Sequence, residues 1–293
     1  MPFFWRVFMK GKSIAPFLLL GVGLILAGCG GPNSGEQHRP VTVKGSDTMV
    51  ILAQSWAENY MKEHQGLTIQ VTGGGSGVGI AALINGGTDI CEASRPMKTV
   101  EKEQVRTRHG KVVQEIPVAL DGLAIYVSES NPIQSLTEPQ LKSIYTGKIL
   151  NWRELGGKDA KIVAYGRENS SGTYQFFKEH VLGNEDFARE VQTLPGTGAI
   201  VNAVSKDPSS IGYGGIAYAS GIRVVPVRKD DHSEAVKPSL TTVRSSQYPL
   251  SRNLFFYTIG EPLGDVKTFV DWVLGPEGQK LCEAVGYYPI VQK

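Results

Sequence analysis

Cysteine, histidine and long apolar runs are all scarce in this 293-residue chain. Its three cysteines are Cys29, Cys91 and Cys282, and no Cys/His spacing suits zinc. The five histidines, His38, His64, His109, His180 and His232, are scattered among polar neighbours, so surface positions explain them and no metal is expected. The one extended apolar run falls short of the roughly 20 residues of a membrane-spanning helix. No Gly-Lys-Ser/Thr follows the glycine run at Gly73–Gly79, so it is not a Walker loop, the run fails Gly-x-Gly-x-x-Gly in every register, and no Gly-x-Ser-x-Gly elbow is present. No internal repeat appears.

What is present begins with an export pattern. Arg6, Lys10 and Lys12 precede an apolar run from Ile14 to Ala27, which ends Leu26-Ala27-Gly28-Cys29. This fits a signal peptide over residues 1–28, cut before a lipidated Cys29, and places the mature chain outside the cytoplasmic membrane. The alternative is an uncleaved N-terminal anchor. Residues 29–39 read as a flexible tether from Gly30-Gly31-Pro32-Asn33-Ser34-Gly35. Loss of the signal's three basic residues, from 30 Lys+Arg in all, leaves 27 against 28 Asp+Glu. No basic tract remains to argue for nucleic acid. With Cys29 lipidated, Cys91 and Cys282 read as two buried thiols, although an oxidising compartment also allows them to pair.

The mature chain repeats one device three times: a polar, Gly/Ser-rich turn that leads into a helix. The turns are Lys44-Gly45-Ser46-Asp47-Thr48, Gly73-Gly74-Gly75-Ser76-Gly77 and Arg167-Glu168-Asn169-Ser170-Ser171-Gly172-Thr173. A helix N-terminus offers unpaired N–H groups and partial positive charge, glycine lets backbone approach a ligand, and Ser/Thr hydroxyls add donors. Three such ends with one arginine suit a small tetrahedral anion.

The surrounding pattern alternates. Strands are expected at Pro40–Lys44, Leu67–Val71, Thr88–Cys91, Gly122–Val127, Ile162–Tyr165, Arg223–Val227 and Asn253–Thr258. Helices are expected over Thr48–His64, Val78–Asn85, Thr137–Tyr145, Thr173–Leu182 and Val266–Leu274, the last resuming at Glu277 after Gly275-Pro276. Met49, Leu52, Ala53, Trp56 and Tyr60 share one face of the first helix. Ile116–Leu120 closes a first unit, Ser210–Ile216 reads as strand or turn, and Asp230–Gln247 as a connection. Strand–helix alternation implies parallel sheet covered by helices, with ligands beyond the carboxyl ends of the strands, where the three turns lie.

These residues resemble the solute-binding lipoproteins of bacterial phosphate ABC importers. The resemblance rests on Gly45-Ser46-Asp47-Thr48, Gly73–Gly77, Asp89-Ile90-Cys91-Glu92-Ala93-Ser94-Arg95, Arg167-x-x-x-Ser171-Gly172-Thr173, Tyr248-Pro249-Leu250-Ser251-Arg252 and Gly275-Pro276-Glu277-Gly278-Gln279. They occur in the family's order from Val41 onward. The resemblance implies a two-lobed α/β fold of the type II periplasmic binding class, each lobe a mainly parallel sheet flanked by helices, with the ligand in the interlobe cleft. Residues 40–119 and 246–293 would form lobe 1, and 120–245 lobe 2. It further implies binding of inorganic phosphate, delivery to an ABC permease and its ATPase, no chemistry on the ligand, no cofactor, a membrane lipid anchor and a monomer.

Motif by motif, the resemblance assigns Ser46, Asp47, Thr48, Gly75, Ser76, Ser94, Arg95, Arg167, Ser171, Gly172 and Thr173 to the phosphate site. One departure stands out: the position two after the arginine, often Asp in the family, is Asn169, with Glu168 beside it. Which carboxylate steadies Arg167 is therefore open. Asp47 either accepts a hydrogen bond from the phosphate proton or caps its helix, and Asp89, Glu168 and Asp121 are weaker candidates for the acceptor, more easily read as strand-end or surface groups. Thr137 reads as a plain helix cap. Alternatives to phosphate transport are an exported serine hydrolase or phosphatase using Ser171 or Ser76, a binder of sulfate or molybdate, and a sensor or adhesin that keeps the fold.

Overall fold

The computed structural model describes residues 39–290. The expected signal peptide, Cys29 and the expected tether up to His38 lie outside the described residues.

Strand β1 (Val41–Gly45) pairs in parallel with β2 (Ile69–Thr72) on one side and β3 (Ile90–Ala93) on the other. Helix α1 (Val50–Glu63) connects β1 to β2, and α2 (Ser76–Ile84) connects β2 to β3. The expected face of α1 is the buried one: Met49, Leu52, Ala53, Trp56 and Tyr60 are all shielded. Helix α3 (Thr99–His109) was not legible from periodicity, since Val105 is its single fully buried residue.

The long strand β4 (Val113–Val127) unites the two expected segments on either side of Asp121. A buried acid is a poor mid-strand residue, but Arg252 neutralises Asp121, so the ladder continues through it. The N-terminal part of β4 pairs antiparallel with β11 (Ser251–Ile259), which itself runs antiparallel to β3.

Beyond Leu120 the chain builds a second set. It comprises β5 (Leu136–Thr137), α4 (Glu138–Tyr145), β6 (Val163–Arg167), α5 (Gly172–His180), β7 (Gln192–Leu194), α6 (Gly196–Lys206), β8 (Ser210–Gly215), β9 (Arg223–Val225) and β10 (Val227–Arg228). The Thr137–Gln140 capping box starts α4 as expected. Strands β6, β7 and β8 pair in parallel, whereas the C-terminal part of β4 pairs antiparallel with β8 and β9. Each region is thus a mixed sheet. The expected connection at 230–247 includes a short helix, α7 (Leu240–Arg244). After β11 the chain ends in α8 (Gly264–Leu274) and α9 (Pro276–Val285), broken at Gly275-Pro276 as expected.

Separate cores underlie the two regions. One joins Trp56, Tyr60, Ile90, Phe256, Phe269 and Tyr287 between β1, β3, β11 and helices α1, α8 and α9. The other joins Leu123, Ile125, Tyr145, Phe177, Ile211, Tyr213 and Tyr248. Each large apolar side chain removed from water contributes about 1.5–3 kcal/mol, so each region is stabilised by its own core. Cys91 and Cys282 are buried free thiols, and burial pushes the Cys282 thiol up to about 12. Among the described residues, no helix is long and apolar enough to cross a membrane, and no His/Cys/Asp/Glu group is arranged to hold a metal ion.

Candidate functional site

The carboxyl ends of β1, β3 and β6 converge, and the first turns of α2 and α5 meet there. Their hydroxyls form a continuous buried string. Thr48 and Thr173 Oγ1 atoms lie 2.7 Å apart, Ser94 Oγ lies 3.5 Å from Thr173, and Ser76 Oγ lies 3.4 Å from Ser94. Ser76 Oγ also accepts from the Ser94 N–H at 3.0 Å. Ser46 is buried beside them, with its N–H on the Glu92 carbonyl at 2.9 Å.

Two glycines permit this approach. Gly75 has φ +95°, and a Cβ on it would stand 2.6 Å from the Ser170 carbonyl oxygen. A Cβ on Gly172 would stand 2.3 Å from Ser76 Oγ and 2.7 Å from Ser94 Oγ. Both distances are below any real carbon contact, so side chains here would hold the turns apart. Ser171 caps α5, its Oγ accepting from the Tyr174 N–H at 3.3 Å. Seven expected site residues, Ser46, Thr48, Gly75, Ser76, Ser94, Gly172 and Thr173, are therefore in one place, with Ser171 at the helix end next to them.

Arg167, at the end of β6, is buried and reaches the β1–α1 turn. Its Nη2 donates to Asp47 Oδ2 at 2.8 Å and to Glu168 Oε1 at 3.2 Å, and its Nη1 donates to Thr197 at 3.0 Å. Both Asp47 and Glu168 steady the guanidinium, which answers the question left by Asn169. Burial raises the Glu168 carboxyl, but the hydrogen bond and charge of Arg167, together with backbone hydrogen bonds, outweigh it and keep the group below the usual carboxylate range. Asp47 does not cap α1, whose N-cap is Met49. Its Oδ1 accepts instead from the Gly74 N–H at 2.8 Å, tying the first turn to the second.

Arg95, expected in the site, has other partners in this structure. Its guanidinium forms a two-pronged pair with Glu101, at 2.7 and 2.8 Å, and donates to the Pro96 carbonyl. Glu101 is held in turn by the α3 capping box, so a fork-matched carboxylate occupies the Arg95 guanidinium.

A different arginine is there. Arg252, on β11, donates to Thr173 Oγ1 at 3.1 Å, to the Ser94 carbonyl at 3.2 Å and to Asp121 Oδ2 at 2.7 and 2.9 Å. Its Cζ lies 5.3 Å from the Phe176 ring centroid on α5. The sequence marked Arg252 only as part of a tail motif, and its pairing with Asp121 carried no local signal. Tyr218, also unexpected, donates to the Asp47 carbonyl at 2.7 Å. Hydroxyl and N–H donors, two buried guanidiniums and two helix N-termini make this a site for a small oxyanion.

Comparison with known proteins agrees with this chemistry. Residues 30–277 match the PBP superfamily domain. The phosphate-binding protein PstS of Staphylococcus epidermidis is 33% identical over 294 residues, covering 95% of this chain and 89% of that protein. PstS of Staphylococcus aureus strain USA300 is 33% identical over 299 residues, covering 97% and 90%. Among solved structures, a phosphate ABC transporter substrate-binding protein of Clostridium perfringens with bound phosphate superposes with TM-score 0.77 at 32% identity, covering 86% of this chain and all of that one. An ABC-type phosphate transport receptor of Vibrio cholerae superposes with TM-score 0.70 at 27% identity, covering 85% and 100%. These neighbours have the two-lobed periplasmic binding-protein fold.

Proposed function

The chain belongs to the PBP superfamily and, within it, to the phosphate-binding proteins of ABC importers, and from that premise we propose that it captures inorganic phosphate outside the cytoplasmic membrane and delivers it to a permease and its ATPase. The observation that carries the reading is the buried hydroxyl string Thr48–Thr173–Ser94–Ser76, which joins both lobes and is flanked by Arg167 and Arg252. Residues 40–119 and 246–293 form lobe 1 in this reading, and 120–245 form lobe 2. Thr48, Ser76, Ser94 and Arg252 then belong to lobe 1, and Arg167, Ser171, Gly172 and Thr173 to lobe 2. Contacts made to the anion by both lobes at once favour the closed form and draw the equilibrium toward it.

The chain binds phosphate and does not hydrolyse its esters. Ser171 Oγ is engaged by the Tyr174 N–H and Ser76 Oγ by the Ser94 N–H, and among the described residues neither is hydrogen-bonded to a histidine or carboxylate that would take its proton. Cys29 carries the lipid that keeps this monomeric receptor near its permease.

Calorimetric titration of the mature chain with phosphate, sulfate, arsenate and molybdate tests the reading, alongside incubation with a chromogenic phosphate ester. Tight phosphate binding without ester turnover is expected. Turnover, or a preference for sulfate or molybdate, overturns it.

A further inference from the structure

Strand β3 runs into the site, and two residues before Ser94 stands Glu92, fully buried in the sheet. Its register partners are Gly45 on β1, which has no side chain, and Phe256 on β11, which is apolar. Both carboxyl oxygens are buried, and neither has a hydrogen-bond partner among the described residues. The contrast with the other charges of the region is sharp: Arg167 is held by Asp47 and Glu168, and Arg252 by Asp121. The titratable groups that act on Glu92 or feel it are Asp47 on the β1–α1 turn, Tyr218 in the Ile216–Tyr218 turn, and Cys91, adjacent on β3. Burial and the Asp47 charge both push the Glu92 carboxyl up. An isolated carboxylate removed from water is costly enough that the group keeps its proton instead.

The charge balance of the site gives this proton a use. Arg167 and Arg252 supply two positive charges, and Asp47, Glu168 and Asp121 supply three negative ones. A fourth negative charge beside Asp47 would oppose any anion entering the hydroxyl string. We propose that Glu92 is carried as a neutral carboxylic acid and that retention of phosphate depends on this neutrality, so that deprotonation of Glu92 expels the anion. The proposal rests on the phosphate-binding reading above and adds a residue outside the hydroxyl string that sets the pH range over which the receptor holds its ligand.

The test is phosphate titration calorimetry on the mature chain between about pH 6 and 10 with wild type, Glu92→Gln and Glu92→Leu. The last two are permanently neutral and differ in shape, and thermal melts confirm which of them folds. Infrared spectroscopy at neutral pH supplies a direct readout, as a protonated-carboxyl C=O band present in wild type and absent from either variant. At the acid end of the range the neutral variants should match wild type in phosphate affinity. Toward the alkaline end wild type should lose about tenfold or more relative to them, the scale of one added like charge near a bound anion. Parallel profiles for wild type and the variants, or absence of the carboxyl band, overturn the proposal while leaving phosphate binding intact. Failure of all three proteins to bind phosphate at any pH overturns the underlying reading and the proposal with it.

Discussion

Arg252 and Asp121 are separated by 131 residues in sequence and by 2.7 Å in space. Both side chains are buried, and the same guanidinium touches Thr173 in the hydroxyl string. Asp121 spends its other oxygen on the Ile216 N–H at 3.1 Å. The pair thus ties β4, β11, α5 and the Ile216–Tyr218 turn together. Arg252→Ala leaves Asp121 charged, buried and unpaired, and should cost about 3–5 kcal/mol of stability by urea unfolding. The double variant Arg252→Met/Asp121→Leu should recover most of that stability without recovering phosphate affinity. Full affinity in the double variant would confine Arg252 to a structural role.

Arg167 presents its fork to Asp47, Glu168 and Thr197 at once. Arg167→Ala removes a charge-assisted donor and should weaken phosphate binding by at least ~2 kcal/mol, roughly thirtyfold. Arg167→Lys keeps the charge but loses the planar fork, so it should fall between wild type and alanine. Titration calorimetry on variants with native circular dichroism reads both values.

Gly172 is the first residue of α5, and its missing Cβ gives Ser76 and Ser94 their room. Parting of the two binding turns in an open form relieves any crowding between them. Gly172→Ala should therefore leave the melting temperature of the ligand-free protein near wild type. The added methyl would meet Ser76 Oγ at 2.3 Å, and overpacking of this kind costs about 1–3 kcal/mol. That cost should appear in phosphate affinity, as a loss of about tenfold. Solution scattering should show a larger radius of gyration than wild type under saturating phosphate.

Asp47 sits between the two binding turns, with one oxygen on Arg167 and the other on the Gly74 N–H. Phosphate at neutral pH carries at least one proton and sulfate carries none. An ionised Asp47 favours the anion that can donate to it and opposes the one that cannot. Asp47→Asn should narrow the gap between phosphate and sulfate affinity by about tenfold, the weight of one charge-assisted hydrogen bond. An undiminished preference for phosphate moves the acceptor role to another group.

Glu92 also makes the fold sensitive to pH. Its carboxyl is pushed up in the folded chain by burial and then by Asp47, so the native state holds a proton that the unfolded chain releases above about pH 4.3. The native state binds more protons over that window, and stability therefore falls as pH rises. The penalty is absent below the ordinary glutamate range, grows at about 1.4 kcal/mol per pH unit above it, and levels off once pH passes the raised folded value. Glu92→Gln lacks this linkage. Urea unfolding at a series of pH values should show wild type losing stability relative to Glu92→Gln over that window, and equal slopes would assign the glutamate a stable charge.

Local pattern carried much of the architecture. The buried face of α1, from Met49 to Tyr60, follows from helical spacing alone, because an amphipathic helix has one way to shield its apolar stripe. The three glycine turns sit where strands end and helices begin, because their dihedral and capping requirements are local. Six of the site residues expected on those turns, Ser46, Thr48, Gly75, Ser76, Gly172 and Thr173, share one buried cluster with Ser94 from the end of β3. Helices α3 and α6 escaped notice, the first for want of a buried stripe and the second because it opens on Gly196-Thr197-Gly198.

Partnership was decided by the tertiary structure. Arg95 and Arg252 both stand in motifs that resemble the family's, and nothing in either motif distinguishes the one that reaches the hydroxyl string. Glu101, six residues on, captures Arg95, while Asp121, brought in by β4, aims Arg252 at Thr173. The same holds for Asp47, which bridges to Arg167 from 120 residues away, and for Glu92, whose isolation exists only once Gly45 and Phe256 flank it. Sequence by itself determined which segments could present donors to an anion, because that depends on backbone conformation within a few residues. How Arg252 pairs with Asp121 and Asp47 with Arg167, and why Glu92 is left without a partner, depends on side chains brought together from distant parts of the chain, and only the packed sheet sets those distances.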